Sequence, residues 1–276
     1  MTLLPAIAGA ADIISEVRDP GQSPAAENGG FLEIGLAAGV VSTAWEQDDP
    51  ADNSKFSPSA GLLVSGSYQY KRVFVEAALY GLDGLNLGAT VWQNERWMVD
   101  FLALNLDGEL NFPREDPDGP SPIEEQRDGN LLGRAIGYAA AGTRITGYFG
   151  DTIAQFRLTS DYYNSHGIIG SARIGRQWLA GNWKIQGLFG VRYNSAKINQ
   201  SWYGIDPEEA TSRFPVYRAD GSLQLETQLG ISYPLSRNWV FRSDLLYIRY
   251  PAAITSSPLL ANDRDLALVT GFSYVF

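Results

Sequence analysis

Two groups of residues have types and spacings that could do chemistry. The first is the run Ser160-Asp161-Tyr162-Tyr163-Asn164-Ser165-His166, which sets the single histidine of the chain beside serine and aspartate. These are the components of a hydrolytic triad, but a triad draws its members from separate elements, with the base oriented by a third group. A stretch this short, spanning a hairpin tip, seldom achieves that, so His166 reads as a turn residue. The second group is dispersed: Arg157, Arg173, Lys184, Arg192, Gln224, Glu226, Gln228, Arg242 and Asp244 stand among apolar residues in alternating segments. Alternation directs them to one face. There they either satisfy one another as a half-buried ionic ladder, the reading we favour, or line a path for solute.

Other chemistries find little support. The chain has no cysteine, which removes disulfides, thiolate metal sites and cysteine nucleophiles. Paired acids occur at Asp48 and Asp49, Glu124 and Glu125, and Glu208 and Glu209, but without the Asp-x-Asp-x-Asp-Gly spacing of a calcium loop. They read as solvated surface charge. No glycine loop suited to phosphate is present, so no cofactor is expected, and a net charge of −10 argues against a nucleic-acid partner.

The elements that position the second group are strands. Apolar and polar residues alternate with period two in about twelve runs, at 31–45, 58–70, 73–80, 84–92, 96–109, 133–148, 151–163, 167–179, 182–198, 221–235, 238–250 and 265–276. The runs at 73–80 and 84–92, hinged at 81–84, could instead be one bulged strand. The clearest period is Leu223, Leu225, Thr227, Leu229, Ile231 and Tyr233 against Ser222, Gln224, Glu226, Gln228, Gly230 and Ser232. The segment Phe112–Asn130 carries four prolines and six acids, so it is expected to be a loop without a regular element.

The final run, Asp265–Phe276, decides what these strands build. One face carries Leu266, Leu268, Phe272, Tyr274 and Phe276, and the other Ala267, Gly271 and Ser273. Exposed at the end of a soluble chain, so greasy an edge would invite aggregation. In a transmembrane barrel, closure removes the edge and the bulky face meets lipid. The chain lacks the run of about 18 apolar residues that a membrane-spanning helix requires, but barrel strands need only about ten residues of alternation. Loop lengths agree: long gaps at 46–57, 110–132, 199–220 and 251–263 fall on one side, and the tight turns near 71, 94, 150, 181 and 237 on the other. Trp183, Trp239, Tyr233, Tyr274 and Phe276 lie near the turns, as an interfacial girdle requires.

The predicted fold is therefore all-β: an antiparallel up-and-down transmembrane barrel of about twelve strands, alternatively ten. Both termini are expected on the periplasmic side. The barrel is expected over 31–276, preceded at 1–30 by an N-terminal arm. Leu3 to Ala10 look like the end of a residual signal segment with an A-x-A-like cleavage site, or alternatively a short apolar arm.

The segment Tyr193–Ala219 resembles the MltA-interacting protein/OmpV family of outer-membrane barrels. The resemblance rests on Tyr193-Asn194-Ser195, Trp202-Tyr203-Gly204-Ile205, Glu208-Glu209-Ala210 and Phe214-Pro215-Val216-Tyr217-Arg218-Ala219. Ser257-Pro258-Leu259-Leu260 and the final Gly271-Phe272-Ser273-Tyr274-Val275-Phe276 also fit. Phe272, Tyr274 and Phe276 resemble, in addition, the terminal signal that such barrels present to the barrel assembly machinery. The resemblance implies a protein of the Gram-negative outer membrane, with lipid around it. It further implies a non-enzymatic scaffold joining a lytic transglycosylase to a peptidoglycan synthase, and it brings no catalytic residues. A pore for small solutes is the alternative reading of the same barrel, and a lipid hydrolase built on His166 ranks below both.

Overall fold

The structure is a computed structural model of the chain, and it describes residues 28–45, 56–78, 84–104, 123–132 and 139–276. The N-terminal arm, the acidic run 46–55 and most of the proline-rich insertion lie outside the described residues.

Twelve antiparallel strands close into one barrel in which every strand pairs with its sequence neighbours. They are β1 (Asn28–Ser42), β2 (Ser57–Tyr70), β3 (Val73–Ala78), β4 (Leu85–Gln93), β5 (Trp97–Leu104), β6 (Ala140–Phe149), β7 (Thr152–Asp161), β8 (Ile168–Ala180), β9 (Trp183–Asn194), β10 (Ser222–Pro234), β11 (Trp239–Arg249) and β12 (Arg264–Val275). Closure is made by β1 and β12 over the register Glu33↔Val275 to Ser42↔Leu266. The Phe276 N–H extends it, donating to the Leu32 carbonyl at 2.8 Å. No edge is left, which is what allows the apolar face to point outward.

Alternation sorts the side chains as the sequence requires. On β10, Leu223, Leu225 and Leu229 are exposed on the outside while Gln224, Glu226 and Gln228 are buried inside. Side chains that would form the core of a soluble protein lie on the outer surface, among them Leu36 at 70% and Leu62 at 62% exposure. Hydrocarbon chains are the solvent that such a surface suits.

The tight turns between strands use left-handed backbone at Lys71 (φ 57°), Gly150 (φ 62°) and Gly181 (φ 63°). Glycine meets that requirement at two of these turns without steric cost. Around this end the aromatic girdle forms. Trp183 lies 4.8 Å from Tyr233 and 6.2 Å from Phe241, and Trp239 lies 5.5 Å from Tyr274. Tyr274 in turn meets Phe276 at 4.8 Å.

The hinge region holds two strands, β3 and β4, rather than one bulged strand, and the bulge lies further on, between Thr90 and Trp92. Three expectations need correction. The insertion Phe112–Asn130 does contain a regular element, helix α1 (Ile123–Leu132). The prolines of this segment stop at Pro122, and a proline just ahead of a helix is tolerated because the first turn needs no N–H partner. The ninth strand ends at Asn194 rather than 198, because the chain turns into helix α2 (Ala196–Tyr203). The loop 251–263 likewise contains a single helical turn, α3 (Ala252–Thr255).

Candidate functional site: a charged belt beneath a packed cap

Inward-facing side chains of successive strands form a belt around the barrel interior. On β3 to β6, Arg144 donates through Nε to Asp100 Oδ2 at 2.9 Å and through Nη1 and Nη2 to Glu76 at 2.9 and 3.1 Å. Thr90 Oγ1 donates to the other oxygen of Asp100 at 2.8 Å. The guanidinium also lies 5.0 Å from the centre of the Phe74 ring. Across the closure, Arg242 of β11 donates to Glu33 of β1 at 2.6 and 2.8 Å, and Ser273 of β12 donates to the same carboxylate. Charges so deeply buried hold their place only when paired and hydrogen-bonded, as these are.

The remaining wall is built differently. Arg144 is paired in register with Arg157 of β7, which opens a run of cations. Arg173 of β8 reaches Glu226 at 3.5 Å, and Arg192 of β9 reaches the same carboxylate at 4.0 Å. Gln155 is in register with Arg173, and Gln224 with Arg192. Gln224 Nε2 donates to Glu226 Oε1 at 3.3 Å. Gly190 is in register with both Arg173 and Glu226, and a Cβ there would come within 3.0 Å of Arg173 Cγ. The missing side chain is what lets the guanidinium cross to the carboxylate.

Of the residues picked from the sequence, Arg157, Arg173, Gln224, Glu226, Gln228 and Arg242 are buried in the interior, and Lys184, Arg192 and Asp244 are half-buried on the same face. The sequence reading missed Glu33, Glu76, Asp100 and Arg144. Each carries a signal of the same kind, a lone charge within an apolar alternating run, as in Val73-Phe74-Val75-Glu76 and Trp97-Met98-Val99-Asp100-Phe101. Phe272 and Phe276 point outward at 51% and 69% exposure, with Tyr274 beside them.

Above the belt, at the loop end, lies a second, apolar core. Ile198, Trp202 and Tyr203 of α2 pack with Ile205, Phe214 and Leu259, and Leu131 of α1 joins them. Trp45 stacks on Tyr203 at 5.4 Å, and a two-residue bridge ties Ile205 to Tyr217. Polar contacts fix the cap to the wall: Asn199 Nδ2 donates to the Asp220 carbonyl at 2.6 Å and to Ser222 Oγ at 2.8 Å. Tyr250 donates through its hydroxyl to Asp265 Oδ2 at 2.7 Å, while Asp265 Oδ1 accepts from the Ala44 N–H at 2.5 Å. Burial pushes the phenols of Tyr203 and Tyr250 well above the ordinary tyrosine range. Cap and belt meet where the Trp202 ring lies 5.5 Å from the Arg192 guanidinium.

The serine, aspartate and histidine of the 160–166 run do not assemble into a triad. Asp161 accepts from Ser165 N–H at 2.6 Å, Ser165 Oγ at 2.7 Å and Tyr163 N–H at 3.0 Å, so its carboxylate organises the turn. His166 is exposed with φ 51° at the tip. Among the described residues no group of three or more histidine or acidic side chains could hold a metal ion.

This geometry can be set beside known proteins. A family model described as MltA-interacting protein MipA matches residues 34–276. The chain belongs to that family. The MltA-interacting protein of Escherichia coli (strain K12) is 27% identical over 131 residues, 47% of this chain and 51% of the relative. Outer membrane protein Omp26La of Vibrio anguillarum is 24% identical over 87 residues, 32% of this chain and 34% of the relative. The matched stretches thus span from about a third to about half of these family relatives. Among solved structures, an outer membrane channel from Pseudomonas putida F1 aligns over 94% of this chain and 99% of its own, at 12% identity and a TM-score of 0.39. The outer membrane protein OprD from Pseudomonas aeruginosa aligns over 88% and 65%, at 11% identity and a TM-score of 0.36. Family membership and the outer-membrane names of the relatives locate the protein in the Gram-negative outer membrane.

Proposed function

We propose that this barrel is a non-enzymatic anchor that holds cell-wall enzymes at the outer membrane. The observation that carries the reading is the family match over residues 34–276, with a relative whose name records interaction with MltA. The partner in view is a lytic transglycosylase, with a peptidoglycan synthase recruited alongside it. The geometry supports an anchor over a conduit. Paired charges inside the barrel and an apolar cluster at its loop end suit a filled interior better than a water-filled channel.

Both termini then face the periplasm, and the short turns at Lys71, Asn94, Gly150, Gly181 and Ser236, together with the N-terminal arm, form the docking side. Phe272, Tyr274 and Phe276 serve as the signal to the assembly machinery, and the outer girdle is wetted by lipid. The experiment is retention of a purified lytic transglycosylase by the detergent-folded barrel immobilised on beads. Specific retention, competed by excess free barrel, is expected. No retention under conditions where the barrel is folded contradicts the proposal.

The polar interior favours a second reading, passage of small solutes. Sustained current through the purified protein in a planar bilayer would put that reading first.

A further inference from the structure

Charge is rare on the outer wall of the barrel. Among the described strands, the outward positions carry three charged side chains, Arg176 of β8, Arg249 of β11 and Arg264 of β12. Arg249 and Arg264 stand at the loop end, where both pair with Asp263, at 2.9 and 2.8 Å. Arg176 differs. It stands at the turn end, in register with Thr152, the first residue of β7, and with Gly187 of β9. Among the described residues it makes no ion pair, and its guanidinium lies 5.7 Å from the centre of the Trp178 ring. The edge of that ring covers Gly187, 3.4 Å from where a Cβ would stand, so the glycine leaves the indole its place on the wall next to Arg176.

The level of this cation is fixed by hydrogen bonding. The Gln177 N–H donates to the Asp151 carbonyl at 3.1 Å, so Arg176 is level with the turn that joins β6 to β7. An arginine at the depth of the aromatic girdle puts its head among lipid headgroups. Next to it on the same wall, toward the loop end, Ile174 and Phe189 are exposed in register with each other. At the turn end Lys71, Arg72, Arg96 and Arg237 are exposed as well, against Glu95 and Asp151, in a chain of net charge −10. A partner for Arg176 must therefore be anionic at one end and apolar just above it. An acidic protein surface suits the turns but not Ile174 and Phe189, and a free anion leaves the apolar wall untouched. A phospholipid meets both, since arginine binds phosphate and the wall accepts acyl chains.

We propose that Arg176 and Trp178 form a headgroup site on the outer wall for an anionic phospholipid of the leaflet around the turn end. The guanidinium holds the phosphate, and the acyl chains lie along Ile174 and Phe189. The site goes beyond the anchor reading and does not rest on it, since it faces the bilayer rather than the docking side.

The test is thermal unfolding of the full chain in dodecyl maltoside micelles, titrated with phosphatidylglycerol or with phosphatidylcholine of the same acyl chains. A saturable rise in the unfolding temperature with phosphatidylglycerol, and a smaller one with phosphatidylcholine, is expected. In Arg176→Gln the half-saturating mole fraction of phosphatidylglycerol should rise roughly tenfold, whereas Arg72→Gln, a turn cation on the opposite side of the barrel, should leave it within about twofold. Trp178→Leu serves as a second variant should Arg176→Gln fail to fold, with a shift in the same direction expected. Sodium phosphate and polyglutamate at matched ionic strength stand for a free anion and an acidic chain. An equal response to the two lipids, a half-saturation unchanged in the variant that folds, or an equal shift in Arg72→Gln overturns the proposal. So does a rise with sodium phosphate or polyglutamate that Arg176→Gln removes.

Discussion

On β3 to β6 one guanidinium, Arg144, is held between two carboxylates at 2.9 Å, whereas on β8 to β10 two guanidiniums, Arg173 and Arg192, share one carboxylate at 3.5 and 4.0 Å. The strands are the same in kind and adjoin through the register pair Arg144↔Arg157. What differs is stoichiometry. On the first side one guanidinium grips two carboxylates and braces β3, β5 and β6 together. The second concentrates positive charge, and short distances give way to long ones. An ionic interior is therefore not one device. One wall ties neighbouring strands through short bidentate contacts, and the other shares one carboxylate over longer distances.

Mutations should separate the two walls. Arg144→Met is expected to have the largest effect, a loss of about 3–5 kcal/mol, because Glu76 and Asp100 are then left buried without their cation. Urea unfolding of the barrel in detergent measures it, and a loss under 1 kcal/mol would remove the distinction between the two walls. Glu226→Gln should cost about 2 kcal/mol, since a charge-assisted contact disappears and three arginines are left facing one another. Arg173→Gln should change the stability by less than about 1 kcal/mol, because relief of repulsion offsets the lost contact. If Arg173→Gln were as damaging as Arg144→Met in the same assay, the two walls would be equivalent.

The cap and the girdle provide finer contrasts. Trp239→Ala removes an edge-to-face contact with Tyr274 and should cost about 1 kcal/mol beyond the lost area. The smallest effect concerns pH. Tyr203 and Tyr250 have phenols raised by burial, so the folded cap prefers their neutral form. Their contribution is complete below the unfolded tyrosine value of about 10 and is lost as pH rises beyond it. Absorbance of tyrosinate should thus show two phenols that resist ionisation until the cap loosens, and Tyr250→Phe should leave one.

Much of this architecture could be read in the sequence because a strand has period two. Wherever polar and apolar residues alternate, as in Leu223 to Tyr233, the inward set follows directly, and turn residues such as Gly150-Asp151 mark the ends. The first strands were harder to read, since Glu76, Asp100 and Arg144 are lone charges in short apolar runs. Their partners lie 44 to 68 residues apart, and no local pattern shows who pairs with whom. The cap was least legible. Helices α1 and α2 sit in stretches that read as loop or strand end, and α2 buries Ile198, Asn199, Trp202 and Tyr203 through contacts distant in sequence. Yet Trp202, Tyr203, Gly204, Ile205 and Phe214, the residues on which the family resemblance rested, prove to be in or beside the cap's core. Their spacing is set by packing over a barrel mouth, which periodicity alone does not express.

The anchor reading depends on the barrel interior not serving as a conduit. Single-channel recording of the purified protein in a planar lipid bilayer tests this most directly. The anchor reading predicts a quiet trace with no sustained conductance at moderate voltage. A steady, ohmic open current from the wild-type protein would contradict it and put the pore reading first.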